Sequence, residues 1–255
     1  QNHCLEKIEK RFSKNNDIAA FIMESGAQMA GGVIIYPKDF QKKIRELCKK
    51  YDILFVLDEI ATGFGRLGSM VQYQDQKSIP DIVAYGKMLT GGYLTMAATL
   101  ANKKIYDSFS GEFNDWKHLF HGHTYTGNPI AAAVANENLQ MYEKYNLIKQ
   151  VQKTSKIFEK YSQEILDIDI VGDVRHKGML MGIELVSNKK KKTPIRTKKS
   201  INKVFFEEGK KQGIYLRTLG NIVMLVPPLS IQQNELELLL KKTIKTIQVA
   251  KSKTF

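Results

Sequence analysis

The chain has little cysteine, a single tryptophan and no long apolar run. Two cysteines in 255 residues, Cys4 and Cys48, are too few for a disulfide framework, so reduced or buried thiols are expected. No hydrophobic stretch approaches the length of a membrane-spanning helix, and no leader pattern of basic, apolar and small residues opens the sequence. Internal repeats are absent as well, which excludes solenoids and propellers. Acidic residues are in deficit, 26 against 39 Lys and Arg, leaving a net charge of +13. What remains is 43% hydrophobic, enough to bury a sizeable core, and predicts a soluble cytoplasmic protein of two domains.

Charge of that size suits a protein that neutralises phosphates. The excess, however, is lysine spread along helix-like segments. Its densest run, Lys189 to Lys192 with Arg196, Lys198 and Lys199, surrounds Pro194 and carries no interleaved aromatics of the kind a single-strand platform needs. It reads as a solvated loop, and neither nucleic acid nor membrane is expected as a partner. His121, His123 and His176 lack supporting ligands at metal-binding spacing, so no metal is predicted.

The informative feature is a pair of strand ends. The run Ile53 to Leu57 is apolar without interruption, as in a strand buried on both faces, and stops at Asp58-Glu59. A second run, Pro80 to Tyr85, stops at Gly86-Lys87-Met88-Leu89-Thr90-Gly91-Gly92, placing Lys87 29 positions after Asp58. If the two runs are parallel strands joined by a crossover, the carboxylate and the amine share the carboxyl edge, where open α/β sheets bind ligands. That pair is what a pyridoxal phosphate site requires. The amine must lose its proton to bond the cofactor, and burial near cations assists; the carboxylate keeps the ring nitrogen protonated.

A competing fingerprint overlaps the same region. Gly63-Phe64-Gly65-Arg66-Leu67-Gly68 matches the G-x-G-x-x-G of dinucleotide sites. Asp58 to Thr62 separate it from its strand, Ser69 to Lys77 is too short and polar for the long helix that should follow, and no acidic residue closes a strand about 20 positions on. Tight-turn glycines under a cofactor are the better account.

Asp58 to Arg66, Pro80-Asp81-Ile82, Gly86 to Gly92, His121 to Pro129, Gly213 to Arg217 and Val226-Pro227-Pro228 together resemble the class III aminotransferases of pyridoxal phosphate fold type I. The resemblance covers most of residues 20 to 230. It implies an α/β fold with a mostly parallel sheet in the large domain, of which residues 1–150 are the later part, and a smaller α+β C-terminal domain over 151–255. Ala61, where ornithine and 4-aminobutyrate aminotransferases carry Gln, and the segment Gly91 to Leu100 resemble the branch that makes 7,8-diaminononanoate in biotin biosynthesis. Ser25, Met29 and Leu67 stand where that family has Pro, Gly and Thr.

Residue by residue, the resemblance implies Lys87 as the catalytic, cofactor-bonding lysine, Asp58 as the ring-nitrogen partner and Ile60 packed on one ring face. It implies Thr124 on the cofactor phosphate of the neighbouring subunit, with the active site at a homodimer interface. Lys87, Gly122 and Arg217 would contact substrate, Arg217 through a bidentate fork on a carboxylate. The reaction implied is ping-pong transfer of an amino group to 8-amino-7-oxononanoate with pyridoxal 5'-phosphate as cofactor. S-adenosylmethionine is the usual donor. His123, where users of that donor carry Pro, keeps lysine as the alternative, with another ω-aminotransferase activity of the class beside it. Family members are longer, and the resemblance implies that a ring-stacking aromatic and a Gly-Ser phosphate cradle precede Gln1.

Periodicity predicts helices over Leu5–Lys14, Phe40–Tyr51, Leu147 to about Leu166, Asn202–Gln212 and from Asn234 onward, and strands over Asp17–Met23 and Gly178–Val186. Asn128 with Pro129 predicts the start of an alanine-rich helix running toward Tyr142.

Overall fold

The computed structural model describes residues 1–195 and 200–254; Arg196, Lys198 and Lys199 of the basic run lie outside the described residues. The chain divides into two compact units. The first comprises Gln1–Gly26, Tyr36–Phe64 and Val71–Tyr145, the second Ala27–Ile35, Gly65–Met70 and Asn146–Phe255.

In chain order the elements begin with helix α1 (Asn2–Lys14), strand β1 (Ala20–Glu24), the short strands β2 (Ala27–Gln28) and β3 (Ile34–Ile35), helix α2 (Phe40–Lys50) and strand β4 (Leu54–Asp58). A four-residue helix α3 (Gln72–Asp75), strand β5 (Ile82–Tyr85), a 3-10 turn (Lys87–Thr90), strand β6 (Ala98–Ala101) and helices α4 (Lys103–Ser108) and α5 (Pro129–Lys144) follow. The remainder is α6 (Leu147–Thr154), α7 (Lys156–Leu166), β7 (Val171–Lys177), β8 (Leu180–Asn188), β9 (Thr193–Pro194), α8 (Ile201–Lys211), β10 (Arg217–Leu219), β11 (Ile222–Leu225) and α9 (Gln233–Thr254).

In the first unit the sheet order is β1-β4-β5-β6, parallel across the first two pairs and antiparallel at β6. Phe55 and Leu57 are fully buried, while Leu54 and Val56 are partly exposed. Within this unit, therefore, one face of β4 is covered less completely than the uninterrupted apolar run predicts. Helix α2 packs against β4 through Ile44 and Cys48. Arg45 on the same helix forks onto Asp81 at 2.7 and 3.2 Å, and that carboxylate also accepts from Phe55 N and Asn102 Nδ2. Asp81 thus ties the start of β5 to β4 and to the residue that caps α4. Helix α5 begins as expected: Asn128 Oδ1 accepts from Ile130 N and Ala131 N, with Pro129 at the first position.

The second unit is built on the antiparallel order β10-β11-β8-β7, with β9 beside β8. β8 is buried along Leu180, Met181 and Ile183, and α7, α8 and α9 pack around the sheet and each other. The single helix expected over 147–166 is two. It breaks at Ser155, whose hydroxyl donates back to Gln152 O at 3.2 Å, the local competition that disfavours Ser inside helices. Ala27, Val33, Leu67 and Leu180 form a buried cluster against which Met29 packs. Two residues that depart from the family pattern thereby fill this core, and Met29 adopts no positive φ that would call for glycine. Among the described residues no helix is long and apolar enough to cross a membrane.

Candidate active site

Strands β4 and β5 run parallel, so their carboxyl ends lie on one edge. Asp58, the last residue of β4, is in register with Ala84, and Glu59 N donates to Ala84 O at 2.9 Å. Lys87 lies three residues beyond Ala84. The strand stops short of Ile60, because Asp58 Oδ1 accepts from Ile60 N at 2.8 Å and turns the chain. The Ile60 side chain nonetheless reaches the second strand end, where a Cβ on Gly86 would lie 3.3 Å from its Cγ2. Carboxylate, aliphatic side chain and amine-bearing turn therefore gather at adjacent strand ends. Lys87 opens the 3-10 turn with φ of 42° and is exposed, so these residues alone do not supply the burial expected around it.

Glu59 carries more structure than its place in the motif suggests. It is fully buried and accepts from Gln72 N at 2.9 Å and Tyr73 N at 2.7 Å, satisfying the first turn of α3. Burial raises its carboxyl pKa against the opposing pull of those two N–H donors and of the Ser25 hydroxyl. The Tyr85 hydroxyl is pushed up in turn, by burial first and then by the nearby Glu59 and Tyr73. Ser25, the third departure from the family pattern, is buried and accepts from Gln41 Nε2 at 3.0 Å; that amide also donates to Ser78 at 2.8 Å. A proline at position 25 would supply neither this hydroxyl nor the N–H that donates to Asp58 O at 2.9 Å.

Gly122 and Thr124 are exposed in the segment before α5, where His123 and Thr126 close a turn by His123 N to Thr126 Oγ1 at 3.1 Å. A Cβ on Gly122 would meet nothing within 4 Å. Neither residue is joined by a hydrogen bond to Asp58, Ile60 or Lys87 among the described residues. Arg217 lies in the second unit, exposed on β10 opposite Met224, and its guanidinium has no ion pair there among the described residues.

The glycine-rich run is spent on structure. In the second unit Gly65 N donates to Ser69 O and Gly68 N to Gly65 O, while Arg66 donates to Met179 O at 2.9 Å and Pro227 O at 2.7 Å. Two of the amides a phosphate cradle would present are thereby used internally, against the dinucleotide alternative. The run and this arginine carry no signal that distinguishes a staple from a ligand loop in the sequence alone.

A family model described as Aminotransferase class-III matches residues 1–247. The chain is 40% identical over 232 residues to the adenosylmethionine-8-amino-7-oxononanoate aminotransferase of Aquifex aeolicus, covering 91% of this chain and 51% of that protein. It superimposes on the crystal structure of the enzyme of the same name from Methanocaldococcus jannaschii with a TM-score of 0.91 at 38% identity, over 96% of this chain and 57% of that one. A Pseudomonas jessenii ω-transaminase in complex with PMP gives a TM-score of 0.92 at 29% identity, over 99% of this chain and 56% of that one. The chain spans about half the length of the curated relatives it matches.

Proposed function

We propose, from the premise that this chain belongs to the class-III aminotransferase family, that the whole protein is a pyridoxal-phosphate aminotransferase of biotin biosynthesis. It transfers an amino group from S-adenosylmethionine to 8-amino-7-oxononanoate, in the cytoplasm, as a homodimer. The observation that carries this is the adjacency of the Asp58 and Lys87 strand ends, with the Ile60 side chain against Gly86.

The residues fit the cofactor's chemistry. Pyridoxal 5'-phosphate, when bound, supplies an electron sink conjugated to the substrate's α carbon. Asp58 would hold the proton on the ring nitrogen, and its position against β5 is fixed by the Glu59 N to Ala84 O bond. Ile60 would cover one ring face and exclude water from it. Lys87 Nζ would hold the cofactor at rest and, as a free amine, would move the proton lost from the donor's α carbon to the cofactor's C4′ carbon. Arg217 would hold a substrate carboxylate, Gly122 would line the substrate's path, and Thr124 would contact the cofactor phosphate of the partner subunit. Lysine as donor is the alternative within the same reaction.

Borohydride reduction of the loaded whole protein, followed by peptide mapping, tests this. A pyridoxyl group on Lys87, absent from Lys87→Ala, supports the site, and pyridoxamine phosphate formed with S-adenosylmethionine or with lysine identifies the donor. A folded wild type that retains no cofactor on Lys87 refutes it.

A further inference from the structure

We propose that Asn138, on α5, is a positioning residue for Lys87: its side-chain amide clamps the one-turn helix that carries the lysine and so sets the direction of the amine. This deepens the aminotransferase reading and rests on it. Lys87 is exposed, so packing on its own side chain does not fix it. Its direction is set by the backbone, which is unusual here. Gly86 is extended, and Lys87 then takes a φ of 42°, a conformation that a side chain other than Asn or Asp adopts only when its surroundings enforce it.

The surroundings that enforce it are few. Leu89 N donates to Gly86 O at 2.9 Å and Gly91 N to Met88 O at 3.2 Å, both within the turn. From outside, Asn138 Nδ2 donates to Met88 O at 2.7 Å and to Leu89 O at 3.2 Å, gripping the two peptide carbonyls that follow the lysine. The other end of the same amide is closed off. A Cβ on Gly91 would lie 2.9 Å from Asn138 Oδ1, so the turn ends in a glycine, at φ of +62°, with the amide against it.

The clamp is mounted on a fixed support. α5 is capped by Asn128, buries Ala131, Ala135 and Tyr142, and is pinned by Tyr142 Oη donating to Phe64 O at 2.9 Å. Asn138 therefore connects a rigid helix to a strained lysine without itself needing to touch substrate.

Hydrogen exchange of the cofactor-free whole protein over 86–91 tests the clamp, together with kcat and KM of the loaded enzyme. Asn138→Ala should exchange about tenfold faster there, the loss of two hydrogen bonds partly offset by water, and kcat should fall by a similar factor with KM for the donor unchanged. Asn138→Asp keeps the shape and removes the donors, so it decides the matter if the alanine variant does not fold. Wild-type exchange in a folded variant overturns the proposal. Faster exchange with unchanged kcat also overturns it, since Asn138 would then be structural only. A wild type that loads no cofactor on Lys87 refutes the aminotransferase reading instead, and the exchange of the cofactor-free variants still decides whether Asn138 orders the turn.

Discussion

Two glycines with nearly the same backbone separate strain from crowding in the second unit. Gly178 has φ of +55° and Gly220 φ of +57°, so alanine at either meets the same left-handed penalty of about 1–2 kcal/mol. Their surroundings differ. A Cβ on Gly220 would meet nothing within 4 Å, whereas one on Gly178 would lie 2.4 Å from Leu67 C and 2.6 Å from Arg66 O and Gly68 N, all backbone. Relief at Gly178 requires the β7–β8 turn to separate from residues 66–68. That adds an overpacking cost of about 1–3 kcal/mol and loses the Met179 N to Arg66 O bond, about 1 kcal/mol more. Gly178→Ala should therefore exceed Gly220→Ala by about 2–4 kcal/mol. Trp116, the single tryptophan, belongs to the first unit, so fluorescence reports the wrong region and native-state hydrogen exchange of the β7–β8 amides is the assay. Exchange in Gly178→Ala should be roughly 30- to 1,000-fold faster than in Gly220→Ala. Rates within about threefold of each other would refute the crowding argument.

Because burial raises the Glu59 pKa, the folded state keeps a proton that the unfolded chain has released. Stability should then fall as pH rises from the ordinary Glu value through the raised folded one, and Glu59→Gln should flatten that part of a denaturation series run from about pH 4 to 8. Asp81→Asn leaves the Arg45 guanidinium, 26% exposed, without its counter-ion; a loss of about 2–4 kcal/mol is expected in urea midpoints followed by circular dichroism. Cys48 is fully buried with its thiol pushed up to about 11 by burial, while Cys4 is exposed. Iodoacetamide mapping of the native protein should label Cys4 and leave Cys48 unlabelled until unfolding, and equal labelling would contradict the packing of α2.

The large elements were legible because their signals are local. Phe40 to Tyr51 shows its apolar spacing, Asn128-Pro129 announces α5, and the two apolar runs ending at Asp58 and before Lys87 fall on adjacent parallel strands. The short strands β6, β7, β10 and β11 were not anticipated. Val171 to Lys177 carries Asp173, Arg175, His176 and Lys177, so its apolar content is too low to read as a strand, and it pairs because Arg175 spends its charge on Asp173 at 2.8 Å and Glu184 at 2.7 Å. The placement of Asp58 and Lys87 at adjacent strand ends was legible from chemistry and spacing. Asn138 was not, for it lies 51 positions after Lys87 on a helix whose sequence shows only alanine-rich periodicity.

Arg175 also sets a timetable. Its guanidinium donates to Gly32 O and Val33 O, partners 143 and 142 positions earlier in the chain, and Arg66 likewise reaches Pro227 across 161 positions. At a synthesis rate of about 5–20 residues per second, the Gly32 loop waits roughly 7–30 s after it is made before Arg175 exists to receive it. During that interval Val33 and Leu67, buried in the finished second unit, have no core to enter. The second unit therefore cannot assemble in the order it is translated, and its earliest apolar segments are the ones a chaperone would meet first.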